Sequence, residues 1–239
     1  MSKRISLKDI AKKVGVSTAL VSYVISGREK EKRVGKELVA KIREVARELN
    51  YKPNQIAQSL RTGTTKTIGL IVADIANPFF GSMARIIEDE ASRYGYTVII
   101  GSSDEDSSKS ETLIDTLIKR QVDGFIIVPA EETVTQIKLL QESGVPLVLI
   151  DRYFEEVNCN YVGLDNFGAT YDAISHLIEN GYKRIGIIFY KSRLIHMQER
   201  VRGYVEAMKE NQLENEIRIK EIHYNFVESE IEQYMNKVH

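Results

Sequence analysis

Apolar residues in the first fifty positions recur every three or four residues, which is the period of an amphipathic helix. Ser6, with Asp9 three residues later, has the spacing of a capping box, so the first helix is expected to begin beside it. Gly15 suits the positive φ of a tight turn, and Ser17 suits the cap of a second helix. The predicted helices cover Leu7–Val14, a segment that follows Ser17, and Lys36–Asn50. Two helices joined by so short a turn predict a helix-turn-helix inside a three-helix core.

The pattern changes after Thr67, where short apolar runs alternate with amphipathic helical segments such as Met83–Arg93 and Ser110–Arg120. Such alternation is typical of parallel sheets with crossover helices. The predicted strands are Ile68–Val72, Thr97–Ile100, Gly124–Val128, Leu147–Ile150, Tyr161–Gly163 and Ile185–Phe189. The predicted fold class is an all-α N-terminal domain followed by an α/β domain.

A short segment, Asn54–Arg61, lies between these regions and has the composition of a brief helix that Pro53 opens. Isolated helices below about 12–15 residues are marginal in water. The segment is therefore not expected to be stable alone.

The charge is divided unevenly along the 239 residues, although the net charge is only −1. Residues 1–66 carry 16 Lys/Arg against 6 Asp/Glu, whereas the remainder carries 17 against 28. A basic head on an acidic body indicates a polyanion partner for the head, although a solvated helical surface has a similar composition. Combined with the helix-turn-helix spacing, the charge favours DNA binding over an ordinary helical hairpin. The loop "GREKEKRVG" is equally compatible with phosphate contacts and with simple exposure, and its cationic residues are Arg28, Lys30, Lys32 and Arg33.

Several functional classes lack their usual signals in this sequence. Cys159 is the single cysteine, which excludes an internal disulfide and a cysteine-based zinc cluster. The N-terminus has no signal-peptide core and no run reaches the length of a membrane helix, so we expect a cytoplasmic protein. No G-x-G-x-x-G or G-x-x-x-x-G-K-S/T motif follows a strand, and the four histidines are scattered. We therefore expect no cofactor, no metal site and no enzyme activity.

Residues just beyond two predicted strands are suited to a ligand. Phe79 and Phe80 follow the first strand of the α/β region, and Asp151 and Arg152 follow the fourth. In open parallel sheets, ligands bind beyond the carboxyl ends of the strands. Aromatic faces with a carboxylate suit a sugar or a flat polar metabolite, but core packing of the phenylalanines and a loop-capping role for Asp151 are equally compatible.

The order of these segments resembles the lactose-repressor (LacI) family of bacterial transcription regulators. The resemblance runs from about Ile5 to the end of the chain, through "ELNYKPN", "IAQSLRTGTTKTIGLIVADIANPFF", "RQVDGFIIVP", "VPLVLIDR" and "VGLDNFGA". It implies a DNA-binding domain at residues 1–52, a hinge helix and linker at 53–66, and sensor lobes at 67–163 and 164–239. The second lobe is shorter than the family pattern, so we expect an incomplete lobe and a truncated member.

The resemblance also implies roles on DNA. Thr18 and Ala19 match base-reading positions, Ser22 matches a phosphate contact, and Tyr23 stands where many members carry arginine or histidine. In the family, the hinge helix folds in the minor groove, and Leu60 matches a leucine that wedges between base pairs. From the residues alone, packing of Leu60 on the sensor is the preferred alternative. Tyr51 and Asn54 match backbone contacts beside the hinge, or serve as helix-end residues.

Further matches imply an effector pocket made by Phe79, Phe80, Asp151, Asp165 and Arg200, with Leu194 and His196 on a loop that varies with the ligand. The expected function is a homodimeric repressor of a catabolic operon that binds a palindromic DNA operator under the control of a carbohydrate. A solute-binding protein is one alternative, opposed by the basic head and the missing signal peptide. A Rossmann-like sugar or nucleotide enzyme is another, opposed by the missing phosphate loop. Operator sequence, effector identity and the sign of the response stay open.

Overall fold

The computed structural model describes residues 5–54, 59–60, 62–223, 229–232 and 234. The chain divides into two compact units, Met1–Thr65 and Lys66–His239. None of the described helices is both long enough and apolar enough to cross a membrane.

Three helices form the core of the first unit, and they are α1 (Leu7–Val14), α2 (Thr18–Ile25) and α3 (Lys36–Glu48). The backbone N–H of Ser6 donates to Oδ2 of Asp9 at 2.8 Å, which confirms the predicted capping box. Gly15 has the expected left-handed φ of 81°, and Oγ of Ser17 accepts from the backbone N–H of Leu20 at 3.3 Å. Helix α3 ends two residues earlier than predicted because Asn50 adopts a left-handed φ of 48°.

The three helices share one apolar core. Its fully buried side chains come from all three helices, and they are Ile10, Val21, Val24 and Ile42. This core holds the outer face of α2 in a fixed orientation relative to α1 and α3.

The second unit contains a five-stranded parallel sheet in the order β2-β1-β3-β4-β5. The strands are β1 (Thr67–Val72), β2 (Thr97–Ser102), β3 (Gly124–Ile127), β4 (Leu147–Ile150) and β5 (Asn160–Val162). The connecting helices are α4 (Pro78–Arg93), α5 (Ser107–Lys119) and α6 (Val134–Glu142). Alternate residues of β1 enter two cores, with Ile71 on one face and Leu70 on the other. All carboxyl ends therefore meet at one edge, as parallel strands require.

A second parallel sheet pairs β6 (Gly186–Tyr190) with β7 (Arg218–Ile222) in the described part of the unit. It packs with α7 (Asn166–Glu179), α8 (Ile195–Glu210) and a 3-10 turn at Glu214–Glu216. The hydroxyl of buried Tyr204 donates to the carbonyl of Ile185 and accepts from the N–H of Arg218, both at 2.8 Å. This hydroxyl therefore ties the amino ends of the two strands together.

The predicted fold class is confirmed, with an N-terminal helix-turn-helix and an α/β unit containing parallel sheets. The predicted strands are present; Leu147–Ile150 has the predicted bounds, and the ends of the others differ by one or two residues. Strand β7 was not predicted, because its segment "RIKEI" has neither a continuous apolar run nor strict alternation, and only Ile222 becomes buried.

Candidate functional site

The outer face of α2 brings together four residues predicted to contact DNA. Thr18 and Ala19 are exposed in the first turn, while Ser22 and Tyr23 follow one turn later and are half-buried. The helix carries no charged side chain, as its sequence "TALVSYVI" shows. The charge of this surface must therefore come from neighbouring segments.

The residues predicted around the hinge lie in different environments. Tyr51 is half-buried against the helical core, and its N–H donates to the carbonyl of Ala46 at 2.9 Å. Asn54 is exposed, and Leu60 is 81% exposed. The predicted hinge helix falls largely on residues 55–58 and 61, which lie outside the described residues.

A cleft of about 400 Å³ opens in the second unit at the carboxyl ends of the first sheet's strands. One wall comes from the loops after β1, β2 and β4, and the other from α8 and the segment before it. The lining includes four of the predicted effector residues, Phe79, Phe80, Asp151 and Arg200. Asp165 is not among the lining residues, and its Oδ1 accepts from the N–H of Gly168 at 2.9 Å as the cap of α7.

The two phenylalanines occupy different places in this cleft. Their ring centroids lie 5.1 Å apart in an edge-to-face arrangement. Phe80 belongs to the core beneath the sheet edge, whereas Phe79 is 54% exposed. Asn77 fixes both because it caps α4, accepting from the N–H of Phe79 at 3.0 Å. Phe79 thus presents its ring to the cleft, and Phe80 supports it.

Arg152 forms the polar floor of the cleft. Its side chain is 9% exposed and makes a two-pronged ion pair with Glu105, at 2.6 and 2.7 Å. Its Nε donates to Oδ2 of Asp151 at 3.3 Å, and Nη1 donates to the carbonyl of Pro129 at 3.4 Å. Burial raises the pKa of Asp151, against the opposing effect of Arg152. One buried cation therefore joins the loops after β2, β3 and β4.

Arg200 approaches the cleft from α8. Its Nε donates to Oδ1 of Asn166 at 2.7 Å, and Asn166 in turn donates to the carbonyl of Leu164 at 3.1 Å. This leaves the guanidinium oriented by a neutral amide, so its charge is available to the cleft.

His196 is the buried titratable group of the α8 wall. The residue is 4% exposed, and its Nδ1 is buried without a hydrogen-bond partner among the described residues. Burial, together with the charges of Arg152 and Arg200, lowers its pKa to about 3. The imidazole is therefore neutral over the physiological range and offers one donor and one acceptor.

Sequence reasoning did not include Glu105 among the site residues. His196 was expected on a loop that varies with the ligand, but it lies in the first turn of α8 and lines the cleft. Glu105 follows a strand in "GSSDED", the same signal that drew attention to Asp151, but its pairing with Arg152 spans 47 positions. Such a long-range contact has no local signature.

The neutral state of His196 leads to a prediction for NMR. The ε1 proton signal of His196, identified by its loss in His196→Gln, should not titrate between pH 8 and pH 5. Because the folded-state pKa lies below the ordinary value of 6.5, the unfolded chain binds this proton first, so acidification from pH 6.5 toward 3 destabilises the fold. A midpoint near 6.5 in the folded protein would contradict the burial described here.

Two family models match the chain. Residues 6–54 match the bacterial regulatory proteins of the lacI family, and residues 65–237 match the periplasmic binding proteins and sugar binding domain of the LacI family. Both matches agree with the two units of the fold.

Individual proteins are also similar to this chain in sequence or in fold. The HTH-type transcriptional repressor PurR of Actinobacillus pleuropneumoniae serotype 5b (strain L20) is 32% identical over 87% of this chain and 61% of its own length. The ribose operon repressor of Halalkalibacterium halodurans is 34% identical over 88% of this chain and 61% of its own. A crystal structure of the lac repressor dimer bound to operator and the anti-inducer ONPF has a similar fold, with a TM-score of 0.81 at 21% identity over 93% of this chain and 66% of that one.

The chain spans about 61% of the length of the curated relatives it matches. Those relatives are transcriptional regulators. On the strength of the two family models, the chain belongs to the LacI family of bacterial regulatory proteins.

Proposed function

We propose that this chain is a sequence-specific DNA-binding repressor whose affinity for its operator is controlled by a small-molecule effector of the sugar class. The observation that carries the proposal is the combination, in one chain, of an exposed recognition helix and a polar–aromatic cleft at a strand-end edge. The names of the relatives support it, since they are repressors. In this proposal the protein has no enzyme activity and no cofactor, and it acts in the cytoplasm, where bacterial DNA lies.

The proposed domain organisation is a DNA-binding domain at residues 1–52, a hinge and linker at 53–66, and sensor lobes at 67–163 and 164–239. Thr18 reads a base edge from the start of α2, while Ser22 binds a phosphate. Ala19 has no side-chain hydrogen bond to offer and is limited to apolar contact, for example with a thymine methyl group. Direct readout from this helix is therefore modest.

We propose that the protein acts as a homodimer on a palindromic operator. Large apolar side chains are exposed on α4, at its C-cap and on β2, which is an edge strand; they are Ile86, Tyr94, Ile99 and Ile100. An exposed apolar edge of this kind favours pairing with a second copy. A two-fold axis between the copies would place two recognition helices on two half-sites.

The effector is proposed to bind in the cleft. The exposed face of Phe79 suits a sugar ring, and Asp151 and Arg200 suit its hydroxyl groups. The name of the ribose operon repressor and the description of the sugar binding domain support this class of ligand. Binding between the two walls changes their separation, which gives the effector a route to the hinge.

The salt dependence of DNA binding tests the DNA-binding half of this proposal. Affinity for duplex DNA should fall steeply with salt, with a log–log slope of about −6 or steeper, because a dimer releases counterions at many phosphates. Fluorescence anisotropy of a labelled duplex at increasing salt gives the slope. A slope near zero would exclude the basic head as a DNA-binding domain.

A further inference from the structure

The connection between α2 and α3 is folded against its own unit. The N–H of Arg28 donates to the carbonyl of Tyr23 at 2.8 Å, and the N–H of Val34 donates to the carbonyl of Glu29 at 2.9 Å. Nη2 of Arg43, on α3, lies 2.8 Å from Oε1 of Glu29. Backbone hydrogen bonding, opposed by desolvation and supplemented by Arg43, lowers the pKa of Glu29. The segment is therefore an ordered element beside the recognition helix.

Ion pairing inside this segment is selective. Both of its carboxylates are engaged, Glu29 with Arg43 and Glu31 with Arg28 at 2.9 Å. Three exposed cations form no salt bridge with a carboxylate among the described residues; these are Lys30, Lys32 and Arg33. The segment thus presents positive charge that its own acidic residues do not neutralise.

One of these cations is positioned by the recognition helix itself. Nζ of Lys32 lies 5.4 Å from the centroid of the Tyr23 ring. An ammonium at this distance is attracted by the negative face of the ring, without losing its charge or its hydrogen-bond donors. Tyr23 lies one residue after Ser22 and one turn after Ala19, so the ring places Lys32 beside the face proposed to meet DNA.

We propose that Lys32 is a DNA-contacting residue, held by the Tyr23 ring so that its ammonium binds a backbone phosphate next to the recognition helix. Helix α2 has no charged residue of its own, so the connecting segment supplies the charge that this surface lacks. Tyr23 acts as a positioning residue for that contact. This inference rests on the proposed DNA-binding function and assigns one part of its surface.

The first experiment uses the whole chain and a mixed-sequence duplex, and compares Lys32→Gln with Lys41→Gln. Lys41 lies on the exposed face of α3, so the control removes the same charge from another surface. Lys32→Gln should weaken binding about tenfold at about 50 mM salt and lower the magnitude of the salt slope by about 0.9 per bound subunit. Lys32→Arg should restore most of the affinity, and circular dichroism should show unchanged helix content in all variants.

The second experiment tests the positioning role of the ring. In the Tyr23→Leu background, Lys32→Gln should cause less than half of the loss in DNA-binding free energy that it causes in the natural chain. In the Tyr23→Phe background the loss should be unchanged, because the ring face is kept. An equal cost in both backgrounds would refute the role of Tyr23.

Different results would refute the phosphate contact of Lys32 and the proposed DNA-binding function. Equal affinities and slopes for Lys32→Gln and Lys41→Gln, with steep salt dependence in the natural chain, would refute the phosphate contact and leave DNA binding intact. Salt-independent binding by the natural chain would refute the proposed function itself.

Discussion

Replacing Glu105 by glutamine should lower the stability of the strands that border the cleft by about 3 kcal/mol. The change leaves the guanidinium of Arg152, whose side chain is 9% exposed, without its two-pronged carboxylate. Asp151 remains at 3.3 Å and the carbonyl of Pro129 at 3.4 Å, but these two long contacts do not offset the desolvation of a buried cation. Breaking a buried ion pair by removing one partner costs about 3–5 kcal/mol, and the lower end applies because Glu105 is 28% exposed.

Native-state hydrogen exchange of the amides of β1, β3 and β4 measures this loss, because their opening free energies report the stability of the sheet. Glu111→Gln is the matched control, since Glu111 is an exposed carboxylate of α5. The control should change the opening free energies by less than about 0.5 kcal/mol. Identical exchange in the two variants would show that the Arg152–Glu105 pair does not support the cleft.

Replacing Leu60 by alanine should weaken operator binding by about 1–3 kcal/mol and reduce DNA bending, with little effect on non-specific binding. Leu60 is 81% exposed, so the substitution removes little buried surface. An exposed leucine in a hinge is suited to insertion between base pairs, where it unstacks a step and bends the duplex.

Gel mobility of circularly permuted operator fragments reports the bend, and anisotropy reports the affinity. Leu139→Ala is the control, because Leu139 is also an exposed leucine but lies on α6 of the second unit. Unchanged affinity and bend in Leu60→Ala would remove Leu60 from the DNA-binding residues.

The first unit could be predicted closely because its signals are local. The capping box of Ser6 and Asp9 and the positive φ of Gly15 depend on residues within one helical turn. The end of α3 was less accurate, since Leu49 continues the apolar period although Asn50 already leaves the helix. Local periodicity therefore locates helices better than it locates their ends.

The cleft could be predicted only in part, because its geometry depends on contacts between distant positions. Strand-end position pointed to Phe79 and Asp151, which line one cavity. The burial of His196 depends on the packing of α8, and nothing near it in the sequence indicates that its Nδ1 lacks a partner. The contact of Lys32 with Tyr23 likewise depends on the path of a connecting segment. The roles of the individual site residues stay predictions until variants are measured.

The comparisons oppose both alternative functions, for different reasons. A solute-binding protein accounts for the match at residues 65–237, but it leaves the lacI-family match at residues 6–54 without a role. A sugar- or nucleotide-processing enzyme accounts for neither the helix-turn-helix nor the names of the relatives. A repressor accounts for both parts of the chain.

The measurement that tests this account most directly is operator binding in the presence of candidate effectors. Duplexes are first selected by the protein from a random pool. Fluorescence anisotropy then measures the affinity of the protein for the selected duplexes, alone and with each member of a panel of sugars and purines. We expect a palindromic sequence to be enriched and one compound, a sugar, to change the affinity by about 5–150-fold, the usual range of allosteric coupling. Selection of no preferred sequence, or operator affinity that no compound alters while the sugars fail to bind, would contradict the account.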